Sequence, residues 1–137
     1  MSDTFGRLID HLDIRVSDPA ASLPFYRAIL TALGREVATL DGAINSDEVY
    51  VTASGPTGRV TRDLHLCFQA RDRAMVAAFH AAGLAAGGRD NGAPGLRAYH
   101  PGYYAAFLLD PDGNNIEAKL DERVTARSAA AITTTCT

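Results

Sequence analysis

Three side chains of this 137-residue chain have the types and placement to build a metal or acid–base centre: His11, His65 and Glu117. Each falls on the polar row of an alternating segment. In Ile9 to Val16, Leu12, Ile14 and Val16 point one way and His11, Asp13 and Arg15 the other. In Asp63 to Ala70, Leu64, Leu66 and Phe68 alternate with His65, Cys67 and Gln69, and in Asn115 to Leu120 the polar row is Asn115, Glu117 and Lys119. Such period-2 alternation packs one strand face on a core and leaves the other polar. Two imidazoles and one carboxylate brought together would leave coordination positions open for water or substrate. That donor set suits a divalent Fe, Mn, Zn, Ni or Co ion. The competing reading of each residue alone is a solvated strand side chain.

The two histidines are related by an internal repeat. Displacing the chain by 54 residues lays Asp10–Glu36 over Leu64–Asp90 without gaps. His11 then falls on His65, Leu12 on Leu66, Asp18 on Asp72, Phe25 on Phe79, Gly34 on Gly88 and Arg35 on Arg89. Two copies are too few for a solenoid and imply two pseudo-symmetric modules in one domain. If their first strands are central, His11 and His65 approach each other.

The elements that position these residues follow from local signals. Each copy opens with a strand and continues into a helix. The first helix starts at Ser17-Asp18-Pro19, a capping residue followed by Pro in the first turn, and carries Leu23, Tyr26, Ile29, Leu30 and Leu33 on one stripe. It stops at Gly34. The second runs from about Asp72 to Leu84 and stops around Gly87-Gly88. Strands follow at about 35–40 and 48–53, then at 97–99, 103–109 and 115–120. Gly- and Pro-rich stretches at Ser54–Gly58 and Asn91–Gly95 read as loops. Asp110-Pro111-Asp112-Gly113 favours a type I turn joining the last two strands. A calcium-loop reading of that stretch fails, because the sixth-position Gly and twelfth-position Glu are missing. The expected class is therefore α+β, two modules that each run a strand, a helix and then two or three antiparallel strands, with helices on one sheet face.

Composition is that of an ordinary globular domain, with 47% hydrophobic and 21% charged residues. The net charge of -3 argues against nucleic-acid or anionic-membrane partners. No apolar run approaches the ~18 residues of a membrane span. The first residues lack a signal-peptide pattern, and two cysteines (Cys67, Cys136) make no disulfide framework, so a cytoplasmic setting is expected. One domain is expected over residues 1–122, module one at about 7–58 and module two at about 60–121. Residues 123–137 form a low-complexity tail with a Thr run, expected to be flexible.

IDHLDIRVSD followed by FYRAIL, DLHLCFQA, and YYAAFLLDPDGNNIEAK together resemble the glyoxalase / bleomycin-resistance / extradiol-dioxygenase superfamily, over about Arg7 to Leu120. The resemblance implies paired βαβββ modules curved into a partly open mixed-sheet barrel, and a homodimer that in some members exchanges modules. It implies His11, His65 and Glu117 as ligands of a divalent metal. A fourth ligand, where one exists, would fall near Glu48 to Thr52, where Glu48 and Tyr50 share a row. Within the extradiol signature, His100, Asp110-Pro111, Gly113 and Glu117 match. Ala106 and Phe107 replace an aliphatic residue and a Tyr, which argues against catechol cleavage.

Around that set, His100 and Tyr103 are candidate acid–base groups, with Tyr99 and Tyr104 at the same rim. Tyr104, Lys119 and Arg15 are candidates for holding an anionic substrate. Cys67 is expected as a small buried residue and His80 as a helix-surface residue. Two functions fit. One is a small metal-dependent enzyme in which the ion chelates vicinal substrate oxygens, of lyase, isomerase, thiol-transferase or dioxygenase type. The other is a metal-free drug- or metabolite-binding protein.

Overall fold

The computed structural model describes residues 8–125; Cys136 and most of the 123–137 tail lie outside the described residues. The first module runs β1 (Leu12–Val16), α1 (Pro19–Ala32), β2 (Ala38–Leu40), β3 (Ala43–Ser46) and β4 (Val49–Ala53). The second runs β5 (His65–Gln69), α2 (Arg73–Ala85), β6 (Arg89–Arg97), β7 (Tyr103–Leu109) and β8 (Asn115–Asp121). The modules have the same topology. In each sheet the first strand lies parallel to the last, and the others follow antiparallel, giving orders β1-β4-β3-β2 and β5-β8-β7-β6. The fold is thus α+β, two helices on two four-stranded mixed sheets that do not close into one barrel.

Both helices begin where the chain supplies a cap. The Asp18 carboxylate accepts from the Ala20 N–H at 3.0 Å with Pro19 in the first turn, and the Asp72 carboxylate accepts from the Met75 N–H at 2.7 Å. After α1, Gly34 takes a φ of 75°, a left-handed conformation that turns the chain back toward the sheet. Ile14, Val16 and Val51 from the first sheet and Leu108, Ile116 and Ala118 from the second are buried under the helices. Between them α1 meets α2, and Gly83 sets the approach. A Cβ there would lie 2.2 Å from Leu108 Cδ1 and 3.0 Å from Ile29 Cγ2.

The turn Asp110–Gly113 forms as expected, with the Gly113 N–H donating to the Asp110 carbonyl at 2.9 Å. It is also the joint between modules. Asp110 is fully buried, and its carboxylate accepts from the Tyr26 hydroxyl of α1 at 2.5 Å and from Asn114 Nδ2 at 3.0 Å. The Asp112 and Asn114 N–H groups cap its other oxygen at 2.9 and 2.8 Å. Asp112 in turn accepts from the N–H and hydroxyl of Ser17. Burial, and secondarily Asp110, pushes the Tyr26 phenol far above its ordinary pKa, so it stays a donor.

Four local expectations are corrected. β3 was not anticipated. β6 runs through the stretch expected as a loop at 91–95, with register breaks between Asp90 and Gly92 and between Gly92 and Gly95. Pro94 is tolerated there because β6 is a sheet edge. His11 sits just before β1 rather than within a strand. His80 is buried, not on the helix surface, with Nε2 2.9 Å from Asp90 Oδ1.

Candidate functional site

The polar rows read from the sequence are real faces. In β5 the residues His65, Cys67 and Gln69 are exposed, while Leu66 and Phe68 turn inward. The β5–β8 register sets Cys67 beside Glu117 and Gln69 beside Lys119, and β7–β8 sets Phe107 beside Glu117 and Tyr103 beside Asp121. Directly paired residues share a face. One surface of the second sheet therefore carries His65, Cys67, Glu117, Lys119, Tyr103 and Phe107.

Glu117 is the centre of that surface. It is 1% exposed, and both carboxylate oxygens are engaged: Oε1 lies 2.8 Å from His65 Nε2, and Oε2 accepts from the Tyr103 hydroxyl. A carboxylate can be buried only when its lone pairs are satisfied in this way. Burial, then the bond to Glu117, raises the Tyr103 phenol above its ordinary pKa, so it donates at neutral pH. His65 stays 55% exposed at its side chain, leaving its ring open to the solvent side. His100 packs edge-on against Tyr103, centroids 5.0 Å apart, and its Nδ1 lies 2.8 Å from the Pro101 carbonyl. That contact places the Nδ1 proton, and Nε2 is buried 3.8 Å from Asp121. Cys67 is exposed rather than buried as expected. Protein atoms crowded about its sulfur, and then the Glu117 charge, push its thiol up to about 12.

His11 is elsewhere. Its side chain is 61% exposed, with Nδ1 2.7 Å from Asp10 Oδ1 and the ring edge-on to Tyr50 at 5.6 Å. With Asp13, Tyr50 and Thr52 it lines a pocket of about 200 Å³ on the first sheet. β1 and β5 lie in separate sheets joined through the helices, so the two histidines do not meet as expected. Among the described residues, no group of three His, Cys, Asp or Glu side chains could hold one metal ion. Arg15 is held by Asp13 at 2.8 Å, and Asp13 also accepts from Thr52. Tyr104 lies on the helix side of its sheet, under the Arg73 guanidinium, and not on the Glu117 face.

Register also locates the place where a fourth ligand was expected. β1–β4 sets Tyr50 opposite Asp13, as β5–β8 sets Glu117 opposite Cys67. The 54-residue displacement lays Asp13 on Cys67, so Tyr50 occupies the first module's counterpart of Glu117. Each module thus presents one histidine beside one second group: His11 with Tyr50, and His65 with Glu117.

Comparison with known proteins agrees with this architecture. Residues 8–118 match the family model for the Glyoxalase/Bleomycin resistance protein/Dioxygenase superfamily. Among solved structures, a glyoxalase/bleomycin resistance protein from Albidiferax ferrireducens is 30% identical, with a TM-score of 0.68 over 83% of this chain and 98% of that one. A glyoxalase/bleomycin resistance protein/dioxygenase family enzyme from Burkholderia phytofirmans is 19% identical, with a TM-score of 0.60 over 82% and 97%. A glyoxalase-related enzyme from Fulvimarina pelagi is 16% identical, with a TM-score of 0.63 over 83% and 88%. At these lower identities the likeness is one of fold. No curated protein matches. The matched family spans nearly all of both modules, and the chain belongs to the Glyoxalase/Bleomycin resistance protein/Dioxygenase superfamily.

Proposed function

We propose that the chain is a small metal-dependent enzyme acting on a small molecule with vicinal oxygens, its site shared between two copies. The observation that carries this reading is Glu117: a buried carboxylate paired with His65 on a face that is otherwise open. His65 and Glu117 supply one imidazole nitrogen and one carboxylate oxygen, the donor chemistry a divalent Fe, Mn, Zn, Ni or Co ion takes. That fits two of the three expected ligands within one chain. The third, His11, lies on the open face of the other sheet, so a second copy placing that face over Glu117 would complete the set. Two-fold pairing does this twice, because the same two surfaces meet in both directions. The resulting homodimer, in a cytoplasmic setting, buries the polar faces that one chain leaves open.

A bound ion would act as a Lewis acid on vicinal substrate oxygens. The protein's own groups do the positioning. Tyr103 fixes the second Glu117 oxygen, and His100 braces Tyr103 through its ring edge. Tyr103, placed among the acid–base candidates, serves here as a hydrogen-bond donor rather than a base. Tyr50 would enter the shared site beside His11 in the place Glu117 holds opposite.

The second reading, a metal-free binder of a drug or metabolite, is favoured by the fact that both Glu117 oxygens already have protein partners. Elemental analysis of protein purified without chelator separates the two. Stoichiometric metal, lost in both His11→Ala and Glu117→Ala with the fold retained, supports the enzyme. Metal-free protein that binds no added Co(II) supports the binder.

A further inference from the structure

A second cation, Arg97, lies on the Glu117 face in addition to Lys119, at a position that strand alternation alone does not reveal. Arg97 pairs with Tyr103 in the β6–β7 register and so shares the face of Tyr103 and Phe107. Its guanidinium folds back along β6 and lies over the Phe107 ring, 5.3 Å from the centroid, with Nη2 donating to the Ala93 carbonyl at 2.6 Å. The broken edge strand makes the room. A Cβ at Gly92 would lie 3.0 Å from Nη2, and one at Gly95 would lie 3.1 Å from Nη1. Lys119 Nζ stands 4.2 Å from the centroid of Tyr103 on the same surface.

Elsewhere Arg15 is committed to Asp13, Arg73 to Glu122 and Arg123 to Asp121. Among the described residues, neither Arg97 nor Lys119 has a carboxylate in ion-pairing reach. A guanidinium held by backbone and ring contacts keeps most of its N–H fork for a ligand, and that fork matches a carboxylate in the plane. Phe107 neighbours Glu117 across one strand spacing, roughly 5 Å.

We propose that Arg97, assisted by Lys119, binds the carboxylate of an anionic substrate whose other oxygens reach the His65–Glu117 centre. The proposal rests on the reading above for those other oxygens. The substrate class is a small organic acid with its carboxylate a few bonds from a pair of vicinal oxygens.

The test uses two probes with the same vicinal oxygens, catechol and protocatechuate, the second carrying an added carboxylate. Binding of each to the full chain is measured by calorimetry with Co(II) present, for wild type, Arg97→Gln and Lys119→Met. The glutamine keeps a donor for the Ala93 carbonyl, and thermal melts check folding. Protocatechuate is expected to bind roughly ten- to a hundredfold more tightly than catechol. Arg97→Gln is expected to remove most of that preference, with Co(II) stoichiometry and catechol affinity unchanged. Equal affinity for both probes in wild type, or a preference that survives Arg97→Gln, overturns the proposal. Tighter binding of 3,4-dihydroxyphenylphosphonate than of protocatechuate overturns the carboxylate assignment. If Co(II) does not bind, the metal reading fails separately. Benzoate against benzyl alcohol then tests Arg97 alone: an Arg97-dependent benzoate preference sustains the anion site, and its absence overturns it.

Discussion

Removing the hydroxyl in Tyr26→Phe should destabilise the protein through the joint between modules. The phenol is fully buried and donates to Asp110 at 2.5 Å, and Asp110 is itself fully buried. Without the hydroxyl, Oδ2 of Asp110 keeps only the Asn114 side-chain donor, while Oδ1 keeps its two backbone donors. A hydrogen bond to a charged group contributes about 1.5–3 kcal/mol, and the ring itself is retained, so no large cavity term adds. For a domain of this size that corresponds to a fall of roughly 5–12 °C in Tm. Urea melts followed by circular dichroism measure the free energy, and the same substitution in an Asp110→Ala background supplies a double-mutant cycle. The coupling energy between the two should account for most of the single-mutant cost. A loss below about 0.5 kcal/mol, or an equal loss in both backgrounds, would refute the claim that this pair locks the modules together.

Gly83→Ala should cost roughly 1–3 kcal/mol by overpacking, because the new methyl meets Leu108 Cδ1 at 2.2 Å; urea midpoints at unchanged m-value report it. Asp90 has its carboxyl held below the ordinary range, first by the Gly92 N–H and then by His80. A depressed folded pKa contributes stability above the unfolded value of about 3.9 that is lost as pH falls through the folded value. Asp90→Asn should therefore lower Tm near pH 6, with the gap to wild type closing toward pH 2. A gap that is constant across that range would exclude the linkage. Tyr103→Phe should keep the fold but weaken Co(II) binding by freeing Glu117, roughly tenfold in a calorimetric titration. An unchanged affinity would remove Tyr103 from the site.

Much of this was legible in the chain. The repeat announced two like modules, Asp18 and Asp72 announced both helix starts, and alternation in β1, β5 and β8 separated the core rows from the polar rows. What escaped has physical causes. β3 is the four-residue AINS, confined between turns at Asp41-Gly42 and Asp47 that adopt positive φ, too short for a period to show. β6 contains two glycines and a proline, the residues that punctuate loops, and only an edge position with bulges lets them pair. Those same bulges break the alternation that would have put Arg97 on the Glu117 face. The buried state of His80 depends on α2 packing against β6, which a helix-surface reading of one residue does not contain.

The separation of His11 from His65 has a similar origin. Strand alternation fixes which face a side chain occupies, but not which sheets face each other. That is decided by α1 meeting α2 at Gly83, a contact between distant parts of the chain with no local period. The pairing of His11 with Tyr50, as the first module's counterpart of His65 with Glu117, became visible only once register was known. No helix of the described residues is long and apolar enough to cross a membrane.

The most direct test of a site shared between copies is complementation. His11→Ala and Glu117→Ala are purified separately, mixed in equal amounts under conditions that exchange subunits, and titrated with Co(II). In a mixed pair, the intact His11 of one copy faces the intact His65 and Glu117 of the other. Neither variant alone should bind, while the mixture should recover about a quarter of the wild-type sites, half of the pairs being mixed with one complete site of two. Binding in the mixture no greater than in the separate variants, with subunit exchange confirmed, would contradict a site built from two copies.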